Sequence, residues 1–374
     1  MKRHINYYFL FLSLFLISFG LLFLATLSAV ASLQTFGNTT HYLFHQLIAV
    51  VIGLALALIF LKLPLPFLKK AAPWIMGINL VALIFVFLPF IGTKLGGASR
   101  WISVGNNTFQ PSEFFKITAI IFVSSFLANR FSEGARKDWI HKAKQGYSNL
   151  TTVFLPFLCF LALIVVIFYM QKDISTMGII SVALITIYFA AGTPIWNTLA
   201  MIAAGIGGIL LLVIKEPYRF ERLLVFLHPN VDPLGMGLQL KQSMIALGSG
   251  GWFGKGLGMS VQKFGFLPQA MSDSIFAILG EETGIIGCVI LILLFLYFLY
   301  LAFSIANSST DKFSKLTAIG ISTWIVFQAF INMASAMGLF PLSGIPLPFF
   351  SYGGSHIIAE IIGVGVILNI SKNG

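Results

Sequence analysis

The acidic residues are the first candidates for chemistry because the chain carries so few of them. Only 12 of its 374 residues are Asp or Glu, and Asp273, Glu281 and Glu282 fall together at the start of one long apolar run. A carboxylate beside hydrocarbon is costly to keep, so such a group indicates function. A partly desolvated carboxylate is also a stronger base, suited to accepting the proton of a hydroxyl group. We therefore predict that Asp273 is the catalytic residue.

The composition places the chain in a membrane. Hydrophobic residues make up 58% of it and charged residues 9%, which is too little charge to cover a surface that faces water. Apolar runs of about 18 or more residues recur, and each could cross a bilayer as a helix. They cover residues 7–32, 43–63, 74–93, 112–129, 153–170, 174–192, 195–214, 276–306, 314–337 and 353–370. The sequence predicts an all-α polytopic membrane protein with about ten transmembrane helices in a single domain, residues 1–374.

The first apolar run has a second interpretation. Lys2 and Arg3 precede it, and Ala29-Val30-Ala31 is similar to a signal-peptide cleavage site. The run is roughly twice as long as the core of a usual signal peptide, however, which favours a retained transmembrane helix.

The distribution of Lys and Arg predicts which side each loop faces, because cytoplasmic loops carry an excess of basic residues. Lys2 and Arg3 precede the first segment, and residues 130–144 form a basic loop. The loops at 33–42 and 338–352 contain no Lys or Arg. Both termini are therefore predicted to be cytoplasmic.

A long extracytoplasmic loop is predicted between the seventh and eighth helices, at about 215–275. It carries six Lys or Arg residues, and loops of this length escape the charge rule. The net charge of +11 comes partly from the excess of Lys and Arg in the cytoplasmic loops and partly from this loop. It therefore gives no indication of a nucleic-acid partner.

Within this loop, polar and Gly-rich stretches indicate a ligand. Arg222 could contact an anion, and Gln242, Ser243 and Ser249 are further candidates for substrate binding. Successive backbone N–H groups at Gly248–Gly256 could form an anion-binding nest. The alternative is a flexible outer loop. Asp232 lies in a turn between prolines, where a structural cap is the favoured role.

A second group of candidates lies before and within the fourth apolar segment. Lys94 and Arg100 could bind an anion, although Arg100 beside Trp101 could instead be an interfacial anchor. Glu113 and Lys116 are three residues apart, so on a helix they share a face and can pair. That pair could be purely structural or could support a site.

The third candidate place is the Pro-rich stretch 341–355. Prolines at this density prevent a regular helix, yet the stretch is apolar, so a re-entrant loop buried in protein before the tenth helix is predicted. Ser351 is its candidate substrate contact, and a structural plug is the alternative. His45 and His356 are interpreted as structural histidines. The spacing of Cys, His and acidic residues indicates no metal site.

Taken together and in order, these motifs resemble the SEDS family (shape, elongation, division and sporulation; FtsW/RodA/SpoVE) over nearly the whole chain. The matching stretches are Gly97–Ile102, Phe109–Glu113, Asp232–Gly235, Gln242–Gly256, Asp273 with Phe276, Glu281–Glu282, Pro346–Phe349 and Ser351–Ser355. The chain departs from the family pattern in three places. Met271-Ser272-Asp273 stands where His-Thr-Asp is frequent, Gln171–Thr176 lacks the usual Pro and Gly, and His356 replaces a usual Ser.

The resemblance implies a peptidoglycan glycosyltransferase of the bacterial cytoplasmic membrane that polymerises lipid II on the outer face. A sugar hydroxyl would attack the anomeric carbon of the donor, with inversion, and undecaprenyl pyrophosphate would leave. Asp273 would be the base, and Arg100, Lys94 and Arg222 would contact the pyrophosphate. The implied partners are a class B penicillin-binding protein transpeptidase and other division proteins. A divalent cation, Mg²⁺ or Mn²⁺, is compatible with this chemistry but has no evident ligand cluster.

Two alternatives remain at this point. Residues 262–268 are most like division-type members of the family, whereas residues 343–348 lean to the elongation type, and the division type is favoured. A lipid II flippase is the rival class, with Glu113, Lys116 and Asp173 lining a path. Most ionisable groups near the spans cluster at the outer end, which favours surface chemistry. A pure scaffold would leave Asp273 unexplained.

Overall fold

The structure is a computed structural model that describes residues 5–88, 92–95, 98–105, 107–130 and 150–373. The predicted basic loop at 130–144 falls almost entirely outside these residues.

Twelve α-helices are found in the described part of the chain. They are α1 (Tyr7–Phe36), α2 (His41–Lys62), α3 (Leu65–Phe85), α4 (Pro111–Arg130), α5 (Leu155–Met170, preceded by a π-helical turn Leu150–Phe154), α6 (Ile174–Ala190), α7 (Ile195–Lys215), α8 (Pro217–Leu227), α9 (Met236–Ser249), α10 (Ile275–Ser308), α11 (Lys312–Ala336) and α12 (Gly354–Asn373). The all-α membrane class is thereby confirmed.

Eight of these elements are long and apolar enough to cross a membrane: α1 to α5, counting the π-helical turn with α5, and α10 to α12. Two shorter apolar stretches, in α6 and α7, lie at the sixth and seventh predicted segments. All ten predicted segments therefore correspond to apolar helices, while the count of ten membrane crossings stays a prediction.

The third helix begins earlier than predicted, at Leu65 rather than at residue 74. Pro66 occupies its first turn, where the missing N–H of proline costs nothing. Lys69 and Lys70 interrupt the apolar run but not the helix, because long lysine side chains can extend their charge away from apolar surroundings.

A small antiparallel sheet precedes α4, and it is absent from the sequence-based prediction. Strand β1 (Gly92–Leu95) pairs with β2 (Ala98–Val104), which pairs with β3 (Asn107–Phe109). The register joins Gly92 to Ile102 and Ile102 to Phe109. The sheet carries Arg100 and Trp101 on its central strand.

The segment predicted as a long loop at 215–275 is partly helical, since it contains α8 and α9. The cap predicted at Asp232 is confirmed. Its two carboxylate oxygens accept the backbone N–H groups of Gly235 at 3.0 Å and Met236 at 2.7 Å, at the start of α9. A side chain that accepts these otherwise unpaired amides stabilises the helix terminus.

Helices α4, α11 and α12 form the centre of the molecule. Within their most apolar windows, 78%, 72% and 89% of residues are buried, compared with 28% for α2 and 22% for α3. The Pro-rich stretch packs against this centre, and Leu347 and Phe350 are buried. Gln46 holds it by donating to the carbonyl of Ser351 at 3.3 Å and accepting the N–H of Gly353 at 3.0 Å. Burial in protein is thus observed, and the depth of this stretch in a membrane stays a prediction.

Helix α10 is broken at Gly284, whose φ of 68° and ψ of −170° are not helical. The backbone at 251–256 fills the break. Ile285 and Ile286 donate to the carbonyls of Gly251 at 2.9 Å and Trp252 at 3.2 Å. Because backbone groups freed by a helix break need partners in an apolar environment, the 251–256 segment and α10 form one unit.

We expect Gly284→Ala to destabilise the protein by about 1–3 kcal/mol or more, because this backbone conformation is nearly restricted to glycine. A Cβ atom there would also lie 2.5 Å from the backbone nitrogen of Gly254. Thermal unfolding in detergent measures the effect. The control is Gly77→Ala in α3, where a Cβ would meet nothing within 4 Å. Equal melting temperatures for the two variants would contradict the role assigned to the break.

Candidate functional site

A polar cavity lies where β2, the starts of α4 and α6, and the Pro-rich stretch meet. Its lining residues are Arg100, Trp101, Gln110, Glu113, Lys116, Asp173, Thr176, Ile179, Ser272, Gly344, Ile345, Pro346, Tyr352, Gly353 and His356. The structure therefore brings together two of the three predicted places. Ser272 adds the residue immediately before Asp273.

Asp273 lies in the turn before α10 and is half-buried. Gln239 Nε2 donates to its Oδ2 at 3.2 Å, and Ser272 Oγ donates to its Oδ1 at 3.2 Å. Burial raises the pKa of the Asp273 carboxyl, and the hydrogen bonds from Gln239 and Ser272 with the positive charge of Arg222 oppose only part of that rise. The carboxylate is thus a stronger base than an ordinary aspartate.

Asn332 of α11 fixes the Asp273 turn to the Pro-rich stretch. Its Nδ2 donates to the backbone carbonyl of Asp273 at 2.9 Å and to that of Ile345 at 2.7 Å. A polar residue in the middle of an apolar segment was the available signal for this role, and the sequence analysis missed it.

Ser351 makes a second tie between the same two segments. It is fully buried, its hydroxyl donates to the carbonyl of Ser272, and it accepts the N–H of Leu347 at 2.8 Å. The N–H of Tyr352 donates to the carbonyl of Met271 at 2.8 Å. Ser351 shapes the wall between the cavity and Asp273, and its predicted contact with substrate stays a prediction.

Arg222 of α8 donates through Nη1 to the carbonyl of Leu342 at 3.3 Å, which places it beside the Pro-rich stretch. Its charge acts on Asp273. A positive charge thus acts on the candidate base, and such a charge could also stabilise an anionic leaving group.

Arg100 is directed at the turn before α6. Its guanidinium donates to the carbonyls of Gln171 and Lys172, and its Nη1 lies 3.8 Å from Asp173 Oδ1. The side chain keeps 31% of its surface exposed at the cavity, so it can still meet an anion. The side chain of Lys94 lies outside the described part of the structure.

Glu113 and Lys116 form the predicted ion pair, with 2.7 Å between Lys116 Nζ and Glu113 Oε2. Both side chains are buried and line the cavity. Lys116 also donates to Gln328 Oε1 at 2.8 Å and lies 5.0 Å from the ring centre of Trp324. The pair joins α4 to α11 and forms part of the cavity wall, which is a structural role, and its part in substrate binding stays a prediction.

The interpretation of Gly248–Gly256 as an anion nest is wrong for three of its amides. The N–H groups of Gly254, Lys255 and Gly256 donate to the carbonyls of Gly250, Glu281 and Glu282, at 2.8, 3.0 and 3.0 Å. The glycines serve a different purpose, because they let this backbone lie directly against α10.

Among the described residues that line the cavity, none belongs to α9, which carries three predicted substrate contacts. Gln242 is half-buried and Ser243 is fully buried. Ser249 is exposed and donates to the carbonyl of Ala246 at 2.9 Å. It is Gln239, one helical turn before Ser243, that reaches Asp273.

His356 is buried and lines the cavity, and its interpretation as a structural histidine stays a prediction. His45 lies nearby, with its Nδ1 3.2 Å from the hydroxyl of Tyr352. The sequence did not indicate that His356 lines a cavity or that His45 lies beside Tyr352, because each is a lone histidine in an apolar segment.

Within the described ranges, no three His, Cys, Asp or Glu side chains are close enough to hold a metal ion. A divalent cation at Asp273 would have to take most of its ligands from a phosphorylated substrate and water. The described residues alone do not form such a site.

Residues 6–374 match the model of a family described as cell cycle protein, FTSW_RODA_SPOVE. The chain is 37% identical to a protein of Hydrogenovibrio crunogenus, over 95% of this chain and 88% of the relative. It is 34% identical to one of Trichlorobacter lovleyi, over 95% and 90%. Both are named "Probable peptidoglycan glycosyltransferase FtsW".

Two solved structures share the fold. One is a chain from a structure titled "Structural coordination of polymerization and crosslinking by a peptidoglycan synthase complex". It superposes with a TM-score of 0.76 at 24% identity, and the match covers 98% of this chain and 97% of that one. The rod shape determining protein RodA of Thermus thermophilus superposes with a TM-score of 0.69 at 23% identity, covering 98% and 96%. Motifs, fold and relatives agree over nearly the full length, and the chain belongs to the FtsW/RodA/SpoVE (SEDS) family.

Proposed function

We propose that this protein is a peptidoglycan glycosyltransferase that polymerises lipid II at the outer face of the bacterial cytoplasmic membrane, for septal wall synthesis. The observation that carries the proposal is Asp273, a carboxylate with a raised pKa that is held by Gln239 and Ser272 next to a polar cavity. The names of the relatives, which are 34% and 37% identical, support the same activity and the division role.

In the proposed reaction, Asp273 accepts the proton of the attacking sugar hydroxyl. The hydroxyl oxygen bonds to the anomeric carbon of the donor from the face opposite the leaving group, so the configuration inverts. The bond from that carbon to the pyrophosphate oxygen breaks, and undecaprenyl pyrophosphate leaves with the electron pair. Arg222 and Arg100 stabilise the negative charge that develops on the pyrophosphate.

A class B penicillin-binding protein is the proposed partner, because polymerised strands need a transpeptidase for crosslinking. The likeness to a chain of a peptidoglycan synthase complex supports such an assembly. Other division proteins are proposed to join it.

The transport alternative finds less support. A flippase needs polar groups that can exchange partners along a path through the membrane. Here three of the buried polar groups bond one another, since Gln328 links Lys116 to Glu360 at 2.8 and 3.4 Å. Asp173 accepts the N–H of Thr176 at 3.3 Å as the cap of α6.

The first test is Asp273→Asn, which keeps the size of the side chain but removes its ability to accept a proton. Loss of a positioned base costs about 10²–10⁴-fold in rate. We expect folded protein that still binds lipid II but forms polymer at least about 100-fold more slowly. The assay uses purified protein and fluorescent lipid II, with and without the transpeptidase. Polymer at close to the wild-type rate would remove Asp273 from the mechanism.

The matched control is Asp232→Asn. Asp232 caps α9 with both carboxylate oxygens, and an asparagine can accept only one of those bonds. We expect it to reduce the yield of folded protein more than the turnover per folded molecule. A variant that folds fully but does not polymerise would show that Asp232 belongs to the site.

The raised pKa of Asp273 predicts opposite effects on activity and stability. The folded protein binds the Asp273 proton more tightly than the unfolded chain does. The wild type therefore loses stability as the pH rises from the ordinary carboxyl pKa of about 4 through the raised pKa of Asp273 in the folded protein. Asp273→Asn should therefore melt at a temperature no lower than the wild type at pH 7.5, with the difference shrinking towards pH 4. The wild-type rate should fall as the pH drops through the raised pKa. A melting temperature for the variant well below that of the wild type at pH 7.5 would contradict this account.

The proposed topology places both termini in the cytoplasm. Reporter fusions at Asn38, between α1 and α2, should report an extracytoplasmic position, and fusions at Ser309, between α10 and α11, a cytoplasmic one. A cytoplasmic reading at Asn38 would invert the topology and place the Asp273 turn on the inner face, away from exported lipid II.

A further inference from the structure

The segment 250–266, which joins α9 to the Asp273 turn, is folded with its apolar side chains outwards. Seven large apolar residues project from it and are more than half exposed: Trp252, Phe253, Leu257, Met259, Val261, Phe264 and Phe266. Phe253 exposes 82% of its surface and Trp252 exposes 69%. In a segment that faces water, large apolar residues rarely cluster outside in this way.

The acidic residues of the same region are turned inwards. Glu281 and Glu282 are 1% and 2% exposed and lie beneath the segment. Glu281 pairs with Lys255 at 2.7 Å, and Glu282 accepts the N–H of Gly258 at 2.8 Å and lies 3.7 Å from Lys263. The segment thus buries both carboxylates against its own backbone N–H groups and lysines, with the Lys255 side chain 36% exposed, and presents large apolar side chains outside, as is expected of protein that contacts lipid.

The position of the segment along α10 indicates its depth. Beyond its break at Gly284, helix α10 runs from Ile285 to Ser308, a length of about 36 Å at 1.5 Å per residue, which is enough to cross the hydrocarbon core of a bilayer, about 30 Å thick. The continuous apolar stretch begins at Ile285, three residues after Glu282. We therefore expect Glu281 and Glu282, and the segment bonded to them, to lie at the outer boundary of the hydrocarbon.

The outward apolar face is continuous with the outer surface of α10. The N–H groups of Ile285 and Ile286 donate to the carbonyls of Gly251 and Trp252. Ile285, Ile286 and Val289 expose 48%, 41% and 46% of their surface on the apolar stretch of α10. Trp252 and Phe253 thus extend a surface that a transmembrane helix already presents to its surroundings.

We propose that segment 250–266 is an interfacial anchor that inserts Trp252, Phe253 and their neighbours into the outer leaflet, at the boundary between acyl chains and headgroups. Aromatic residues are favoured at this level because their rings tolerate both environments. The occupant of this face is phospholipid. The anchor is tied to α10 about two helical turns from Asp273, so it also fixes the height of the Asp273 turn relative to the lipid headgroups.

The test measures the depth of single labelled cysteines in the full chain. Cys159 and Cys288 are first replaced by serine and alanine, and the protein is accepted only if it remains monodisperse and polymerises lipid II. A nitrobenzoxadiazole label is then placed at Phe253→Cys or Met259→Cys. Each variant is reconstituted alone into phosphatidylethanolamine–phosphatidylglycerol vesicles, and quenching by spin-labelled phospholipid is compared with quenching by aqueous iodide.

Two further positions calibrate the result. Val289→Cys lies on the apolar part of α10, and Leu234→Cys lies in the turn before α9 with 87% of Leu234 exposed. We expect labels at 253 and 259 to respond as at 289, quenched by spin-labelled lipid and protected from iodide. We expect the label at 234 to respond to iodide. If positions 253 and 259 respond to iodide as strongly as 234, or if all four positions respond alike, the proposal fails and the apolar face is left for a protein partner.

Discussion

Buried carboxylate and amide side chains that satisfy irregular backbone are the interaction on which the rest of this structure depends. A membrane protein can interrupt its helices only where the freed N–H and C=O groups find partners inside the protein. Glu282 accepts backbone N–H groups from the 250–266 segment, and Glu360 accepts the N–H of Phe349 at 2.9 Å. Phe349 has a φ of 66°, a conformation that a non-glycine residue adopts at a cost. That bond helps to hold the Pro-rich stretch in place.

These polar ties explain how separate stretches of the chain form one site. Asn332 bonds the Asp273 turn and the Pro-rich stretch at once, and Ser351 bonds the same two segments through the carbonyl of Ser272. Removing one partner from such a buried network leaves another group unsatisfied, which costs about 1–3 kcal/mol. The position of Asp273 is therefore set by α11 and by the Pro-rich stretch as much as by α10, which it precedes.

The sequence predicted features that depend on local spacing or on rarity, and it failed where distant segments decide the outcome. The Glu113–Lys116 pair follows from a separation of three residues on a helix, and the cap at Asp232 follows from local turn chemistry. The anion nest at Gly248–Gly256 could not be judged from sequence, because the amides of Lys255 and Gly256 are taken by carbonyls of α10. The sheet before α4 was missed because its strands have only 4, 7 and 3 residues, too short for a hydropathy pattern.

The surroundings of Asp273 combine two opposing requirements. A base must be desolvated to gain basicity, yet a carboxylate without partners would be protonated and useless at neutral pH. Gln239, Ser272 and the charge of Arg222 all favour the ionised form, while burial opposes it. Gln239 lies on α9 and Arg222 on α8, both within the stretch 215–275 that also contains the 250–266 segment. The balance between burial and ionisation that makes Asp273 a base therefore depends on the same stretch of chain that, in our proposal, contacts the outer leaflet. The chemistry of the site and its position in the membrane are thus coupled through one structural unit.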